Sequence, residues 1–164
     1  ERTLELPQGA IDGNQQVVMC GLNFFDVIEG SDQNDIIEAS HKGDRDVELY
    51  GGLGDDRLLG GNGDDIIEGG AGDDVLIGGA GDDILRGGSG KNIYLVQGND
   101  KIEGSNGVDI IYIKRPKANV SLSSCSQTSC TASDKNSYSG DAPFETEINN
   151  GDVLIFLDGR KRLQ

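Results

Sequence analysis

From Gly51 onward the chain alternates six-residue polar stretches with short apolar tails: GGLGDDRLL, GGNGDDIIE, GGAGDDVLI, GGAGDDILR and GGSGKNIYL fill 51–95 without a break. The middle residue of each tail is Leu58, Ile67, Leu76, Leu85 or Tyr94. A three-residue tail is too short for helical periodicity and suits a minimal strand with one side chain turned inward. Glycines at the first, second and fourth places of each unit permit positive φ and close backbone approach, so the polar six predict a turn whose carbonyls curl toward one point. Short strands and tight turns therefore alternate with a period of nine, the mark of a repeat architecture.

Weaker copies extend the period in both directions. GLNFFDVIE at 21–29 and GSDQNDIIE at 30–38 keep the acid and the apolar tail around Ile28 and Ile37, and GSNGVDIIY at 104–112 does so around Asp109 and Ile111. ASHKGDRDVELY at 39–50 carries three extra residues, and Asp44 and Asp46 compete as its anchor acid. VQGNDKIE at 96–103 is one residue short. Residues flanking the inward position face out, and if successive turns alternate between two sheets the units present two distinct outer faces. One outer face is then apolar, with Leu59, Val75, Ile77, Ile93, Leu95, Ile110 and Tyr112 beside Arg57. The other is mixed, with Ile66, Glu68, Ile84, Arg86, Lys101 and Glu103. The apolar face predicts cover from the carboxy-terminal segment, a neighbouring domain or a partner.

Three regions follow. Residues 1–20 form an amino-terminal cap, with Leu4 to Leu6 and Val17 to Met19 as candidate edge strands, and 21–112 form the repeat block. Residues 113–164 form a carboxy-terminal capping region in which SLSSCSQTSC and TASDKNSYSG read as a long Ser/Thr-rich loop. GDVLIFLDG at 151–159 then supplies an apolar strand, and Val153 to Leu157 are expected to close the exposed end of the solenoid.

Composition narrows the class. Among 164 residues there are 26 glycines and 20 aspartates but only 5% aromatics and no tryptophan, so bulky core-forming side chains are scarce. The net charge of -15 repels nucleic acid and anionic lipid and attracts cations. No apolar run approaches a membrane span, and ERTLELPQGA lacks the features of a secretory leader; the expectation is a soluble fragment of a larger protein.

The acid pairs carry the chemistry. Asp55–Asp56, Asp64–Asp65, Asp73–Asp74 and Asp82–Asp83 recur at every clear turn. Stacked strands hold these carboxylates within several Å of each other, a repulsion that a hard divalent cation removes. Carboxylates and flexible backbone carbonyls, with no His or Cys nearby, form an all-oxygen shell that suits Ca²⁺ better than octahedral, water-retaining Mg²⁺. Each nine-residue unit buries so few apolar side chains that folding and calcium binding are expected to be one coupled reaction.

The tandem GGxGxD turns resemble the RTX family of calcium-binding nonapeptide repeats, closely over 51–95 and loosely over 21–112. The resemblance implies an all-β fold, a right-handed parallel β-roll in which two nonapeptides make one coil. It also implies that each site lies between a turn and the turn eighteen residues later. The earlier turn supplies the carbonyls of its second and fourth residues and its Asp; the later one supplies those of its first and third residues and its Asp. On this chain the implied sites are Gly52, Gly54 and Asp56 with Gly69, Ala71 and Asp74, and Gly61, Gly63 and Asp65 with Gly78, Ala80 and Asp83. A third uses Gly70, Gly72 and Asp74 with Gly87, Ser89 and Asn92, where Asn weakens binding. Further pairs are Asp35 with Asp56, Asp83 with Asp100, and Asn92 with Asp109, for a total of roughly three to six calcium ions.

What the resemblance implies about function is a secreted module, extracellular or at a cell surface. It belongs to a larger bacterial toxin, adhesin or exoenzyme exported by the type I secretion machinery. The expected role is calcium-triggered folding in support of export. The alternative is an adhesin module that recognises a host or cell-surface ligand through the carboxy-terminal region, with a pocket around Tyr138, Asp141, Phe144 and Glu145. No enzymatic role is expected. His41, the sole histidine, sits beside Lys42 in the inserted turn, and no Ser-His-Asp or Cys-His set can be assembled. Cys125 and Cys130 lie close enough in sequence to form a disulfide in an oxidising compartment, with free thiols as the alternative; Cys20 lies far upstream.

Overall fold

The computed structural model describes residues 3–5, 17–20, 27–39, 43–97, 100–103, 107–113, 120–123, 129–134, 145–149 and 153–156. Sixteen strands and no helix occur among them. They are β1 (Thr3–Glu5), β2 (Val17–Cys20), β3 (Val27–Glu29), β4 (Asp35–Glu38), β5 (Glu48–Leu53), β6 (Arg57–Asn62), β7 (Ile66–Ala71) and β8 (Val75–Ala80). The series continues with β9 (Ile84–Ser89), β10 (Ile93–Val96), β11 (Lys101–Glu103), β12 (Ile110–Ile113), β13 (Val120–Ser123), β14 (Ser129–Asp134), β15 (Glu145–Asn149) and β16 (Val153–Phe156).

Each apolar tail forms a strand, and the chain then crosses to the opposite sheet through the glycine turn. Strands therefore pair with the next but one in sequence, all parallel through the repeats. One sheet runs β1-β3-β5-β7-β9-β11-β15-β14-β13 and the other β16-β12-β10-β8-β6-β4-β2. Taken in pairs, β5 to β12 make four coils of a parallel β-solenoid. The register is eighteen residues: Ile67 lies opposite Leu49 and Leu85, and Leu76 lies opposite Leu58 and Tyr94.

Between the sheets runs a single file of side chains. Ile28, Ile37, Leu58, Ile67, Leu76, Leu85, Tyr94 and Ile111, the inward positions expected from the period, are all buried. Leu49 and Ile102 complete the file in the irregular units. Val96, Ile113 and Ala39 are buried one place after a strand's last outward residue, where the clear repeats have glycine.

Two expectations are corrected. In the inserted turn neither Asp44 nor Asp46 is the anchor: the residue in register with Asp65 is Val47, whose N–H donates to Asp65 Oδ1 at 2.9 Å. The insertion is absorbed earlier in the turn, which leaves Asp44 and Asp46 exposed. The segment read as one long Ser/Thr-rich loop contains β13 and β14, which pair antiparallel with each other, and β14 pairs antiparallel with β15. Backbone pairing onto a sheet edge needs no apolar period, so it left no trace in the composition.

The described carboxy-terminal strands lengthen the sheets: β15 pairs parallel with β11 and β16 with β12. They do not lie across the apolar outer face. On that face Leu59, Ile77, Leu95 and Tyr112 form one cross-strand row and Val75, Ile93 and Ile110 another, all half-buried. On the opposite face Glu103 pairs with Arg86 at 2.5 Å and Lys101 at 2.6 Å. Cys125, His41, Tyr138, Asp141 and Phe144 lie outside the described residues, as does any Cys125–Cys130 disulfide; Glu145 is described only as the first residue of β15. Among the described residues no helix is long and apolar enough to cross a membrane.

Candidate metal centre

The turns stack along the two long edges of the roll. At the second and fourth places of each clear repeat the backbone is left-handed, as at Gly70 (φ 112°) and Gly72 (φ 147°). A Cβ on either would collide with the carbonyl oxygen of Gly52 or Gly54 in the preceding coil, so glycine is required both by conformation and by contact. The same contacts place the carbonyls of Gly61, Gly63, Gly70 and Gly72 against the coil that follows.

The sixth residue of each turn points inward. Asp56, Asp65, Asp74, Asp83 and Asn92 are between 0% and 2% exposed, as are Asp35, Asp100 and Asp109 in the irregular units. One side-chain oxygen builds a ladder between coils. The N–H of Asp56 donates to Asp74 Oδ1 at 2.8 Å, that of Asp65 to Asp83 Oδ1 at 2.9 Å, and that of Asp74 to Asn92 Oδ1 at 3.0 Å. The flanks continue it: the N–H of Asp35 donates to Asp56 Oδ1, that of Asp83 to Asp100 Oδ1, and that of Asn92 to Asp109 Oδ1. One edge thus carries Asp35, Asp56, Asp74, Asn92 and Asp109, and the other Val47, Asp65, Asp83 and Asp100.

The second oxygen is different. Oδ2 of Asp56, Asp65, Asp74 and Asp83 is buried and accepts no hydrogen bond. Each is aimed at the first glycine of its own turn, where a Cβ on Gly51, Gly60, Gly69 or Gly78 would collide with it. At three of these places a first-position carbonyl from the next coil arrives too: Gly69 O beside Asp56, Gly78 O beside Asp65, and Gly87 O beside Asp74. The third-position carbonyls of Ala71, Ala80 and Ser89 each accept one N–H, from Gly54, Gly63 and Gly72, and keep a second lone pair. The corners are thus lined by acceptors.

Electrostatics follow from that geometry. Burial away from water pushes the carboxyls of Asp56, Asp65 and Asp83 up to about 7 and that of Asp74 up to about 6, from an ordinary 3.8. The hydrogen bond from the preceding coil opposes the rise in each case. Neighbouring carboxylates add to it, Asp74 and Asp35 around Asp56 and Asp100 beside Asp83. An acceptor-only corner with an unpartnered carboxylate oxygen fits a hard cation, which supplies the missing positive charge and takes carbonyl oxygens as further ligands. Among the described residues no three His, Cys, Asp or Glu side chains converge, so backbone carbonyls must complete such a shell.

The fifth residue of each turn has a function that the sequence reading missed. Asp55, Asp64 and Asp73 are exposed, and their Oδ1 atoms accept the N–H of Asp73, Asp82 and Lys91 eighteen residues later, each at 2.8–2.9 Å. Asn34 and Asp46 begin the same outer ladders. In the pairs Asp55–Asp56, Asp64–Asp65 and Asp73–Asp74 the two members therefore brace opposite neighbours, one the coil before and one the coil after. The signal in the sequence was Asp at the fifth place in four consecutive repeats.

The RTX calcium-binding nonapeptide repeat family matches this chain in four copies, at 21–40, 43–67, 59–94 and 96–112. No curated protein matches it. The matched segments span more than half of the chain, and they are the segments whose turns build both acidic edges. The chain belongs to the family of RTX hemolysin-type calcium-binding nonapeptide-repeat proteins.

Proposed function

We propose that this β-roll is a calcium-triggered folding module of a secreted bacterial protein, unfolded at cytoplasmic calcium and wound at the higher calcium outside the cell. The observation that carries this reading is the set of four buried Oδ2 atoms, on Asp56, Asp65, Asp74 and Asp83, for which the protein supplies no donor. Closing such corners without a cation leaves charge unpaired in a dry site or forces protonation. Sites made of carbonyls and a few carboxylates on flexible turns belong to the weaker class of calcium sites, whose range suits extracellular calcium. A chain that stays unwound during transit and winds on arrival is compatible with export by type I secretion, and the roll then supports a toxic, adhesive or catalytic domain of its parent without catalysing a reaction itself.

Circular dichroism through a calcium titration tests the coupling. The strand signal should appear cooperatively with calcium and not with the same concentration of magnesium. Equal spectra with and without calcium would defeat the proposal.

A further inference from the structure

Six of the seven buried aspartates among the described residues divide into two kinds. Asp56, Asp65, Asp74 and Asp83 keep an unpartnered Oδ2, whereas at Asp35 and Asp100 the protein itself fills that place. Ser31 donates its N–H to Asp35 Oδ2 at 2.7 Å, and its hydroxyl reaches Oδ1 and Oδ2 at 3.2 and 3.1 Å. Gln97 donates its N–H to Asp100 Oδ2 at 3.0 Å.

The remaining ends are closed in other ways. Asn92 accepts the Asp74 N–H through Oδ1, which fixes the orientation of its amide. Its Nδ2, a donor, therefore stands against Gly87 where the other turns place Oδ2. In the inserted unit Val47 takes the place of the acid and Ala39 that of the first-position glycine, both buried, so an apolar pair fills the corner. The unit at 96–103 likewise has buried Val96 in place of its first glycine.

We infer that the protein terminates its own ion columns: Ser31 and Asn92 on one edge, and Val47 with Ala39 and Gln97 on the other, take the place of a cation. Among the described residues only two seats are bracketed by unpartnered carboxylates on both sides, Asp56 with Asp74 and Asp65 with Asp83. The inference rests on the calcium reading and narrows it, since the three flanking pairs and the Asp74–Asn92 pair do not hold tightly bound ions. The roll can then end in ordinary strands, such as β12 and β16, without an open acidic corner.

The test is to count tightly bound calcium on the full 164-residue chain by equilibrium dialysis against calcium chloride. The unsubstituted chain should bind two ions, and Asp74→Asn should lose one. Asn92→Asp, which restores the missing carboxylate, should bind a third. Asp35→Asn and Asp100→Asn should keep both ions and change the half-saturating calcium by less than about threefold, under 1 kcal/mol. These two variants decide the matter if Asn92→Asp fails to fold. Three or more tight ions on the unsubstituted chain, or loss of an ion in Asp35→Asn or Asp100→Asn, would overturn the termination and leave the calcium reading standing. No bound calcium at all would overturn both.

Discussion

An aspartate at the sixth place of a repeat divides its labour between two oxygens. Oδ1 of Asp74 holds the Asp56 N–H of the coil before, and Oδ2 faces Gly69 and the carbonyl of Gly87 without a donor. The sign of the pH dependence follows. Without a cation, the wound roll holds protons on Asp56, Asp65, Asp74 and Asp83 up to about 6 or 7, whereas the unwound chain releases them near 3.8. The wound state binds more protons in that window, so metal-free stability is greatest below it and falls as pH rises through it. In chelator, acidification from about pH 8 to about pH 5 should therefore raise the strand signal, while in calcium the half-saturating concentration should rise as protons compete with the ion. Loss of strand signal on acidifying the chelated chain would contradict this assignment. At this scale the repeated Asp was legible because it recurs every nine residues. Val47 was not, because a three-residue insertion hides its register and two nearby acids, Asp44 and Asp46, mimic the motif.

At the scale of a strand and its turn, the first glycine does more than bend the chain. Gly51 lies beneath both Asp56 Oδ2 and Gly69 O, and a methyl group there would occupy the acidic corner itself. Gly51→Ala should raise the half-saturating calcium at least about tenfold, a loss of roughly 1.4 kcal/mol. Gly43→Ala, where a Cβ has nothing within 4 Å, should leave it nearly unchanged. Equal effects from the two substitutions, measured by calcium titration of each variant, would place the corner elsewhere. The inward file was readable from Leu58 through Tyr94 because one apolar residue recurs at a fixed place. The β13–β14 hairpin was not readable, since its pairing is carried by the backbone of a Ser- and Thr-rich segment. Val96 and Ile113 were missed because they occupy a place that the clear repeats reserve for glycine.

Through the repeats, a single file of apolar side chains separates two sheets of parallel strands, and two acidic edges run along their length. So thin a core opposes the entropy of ordering long glycine-rich turns only weakly, and on the proposed calcium-triggered reading the cation ties winding to conditions outside the chain. The most direct measurement is hydrogen exchange at the Asp56, Asp65 and Asp74 amides, which donate to the next coil's acid or amide side chain and report winding of the acidic edges themselves. In saturating calcium these amides should be protected together, and in chelator near neutral pH they should exchange at the rate of an unstructured peptide. Protection that persists unchanged in chelator at that pH would contradict the central claim that near neutral pH the roll winds only with calcium.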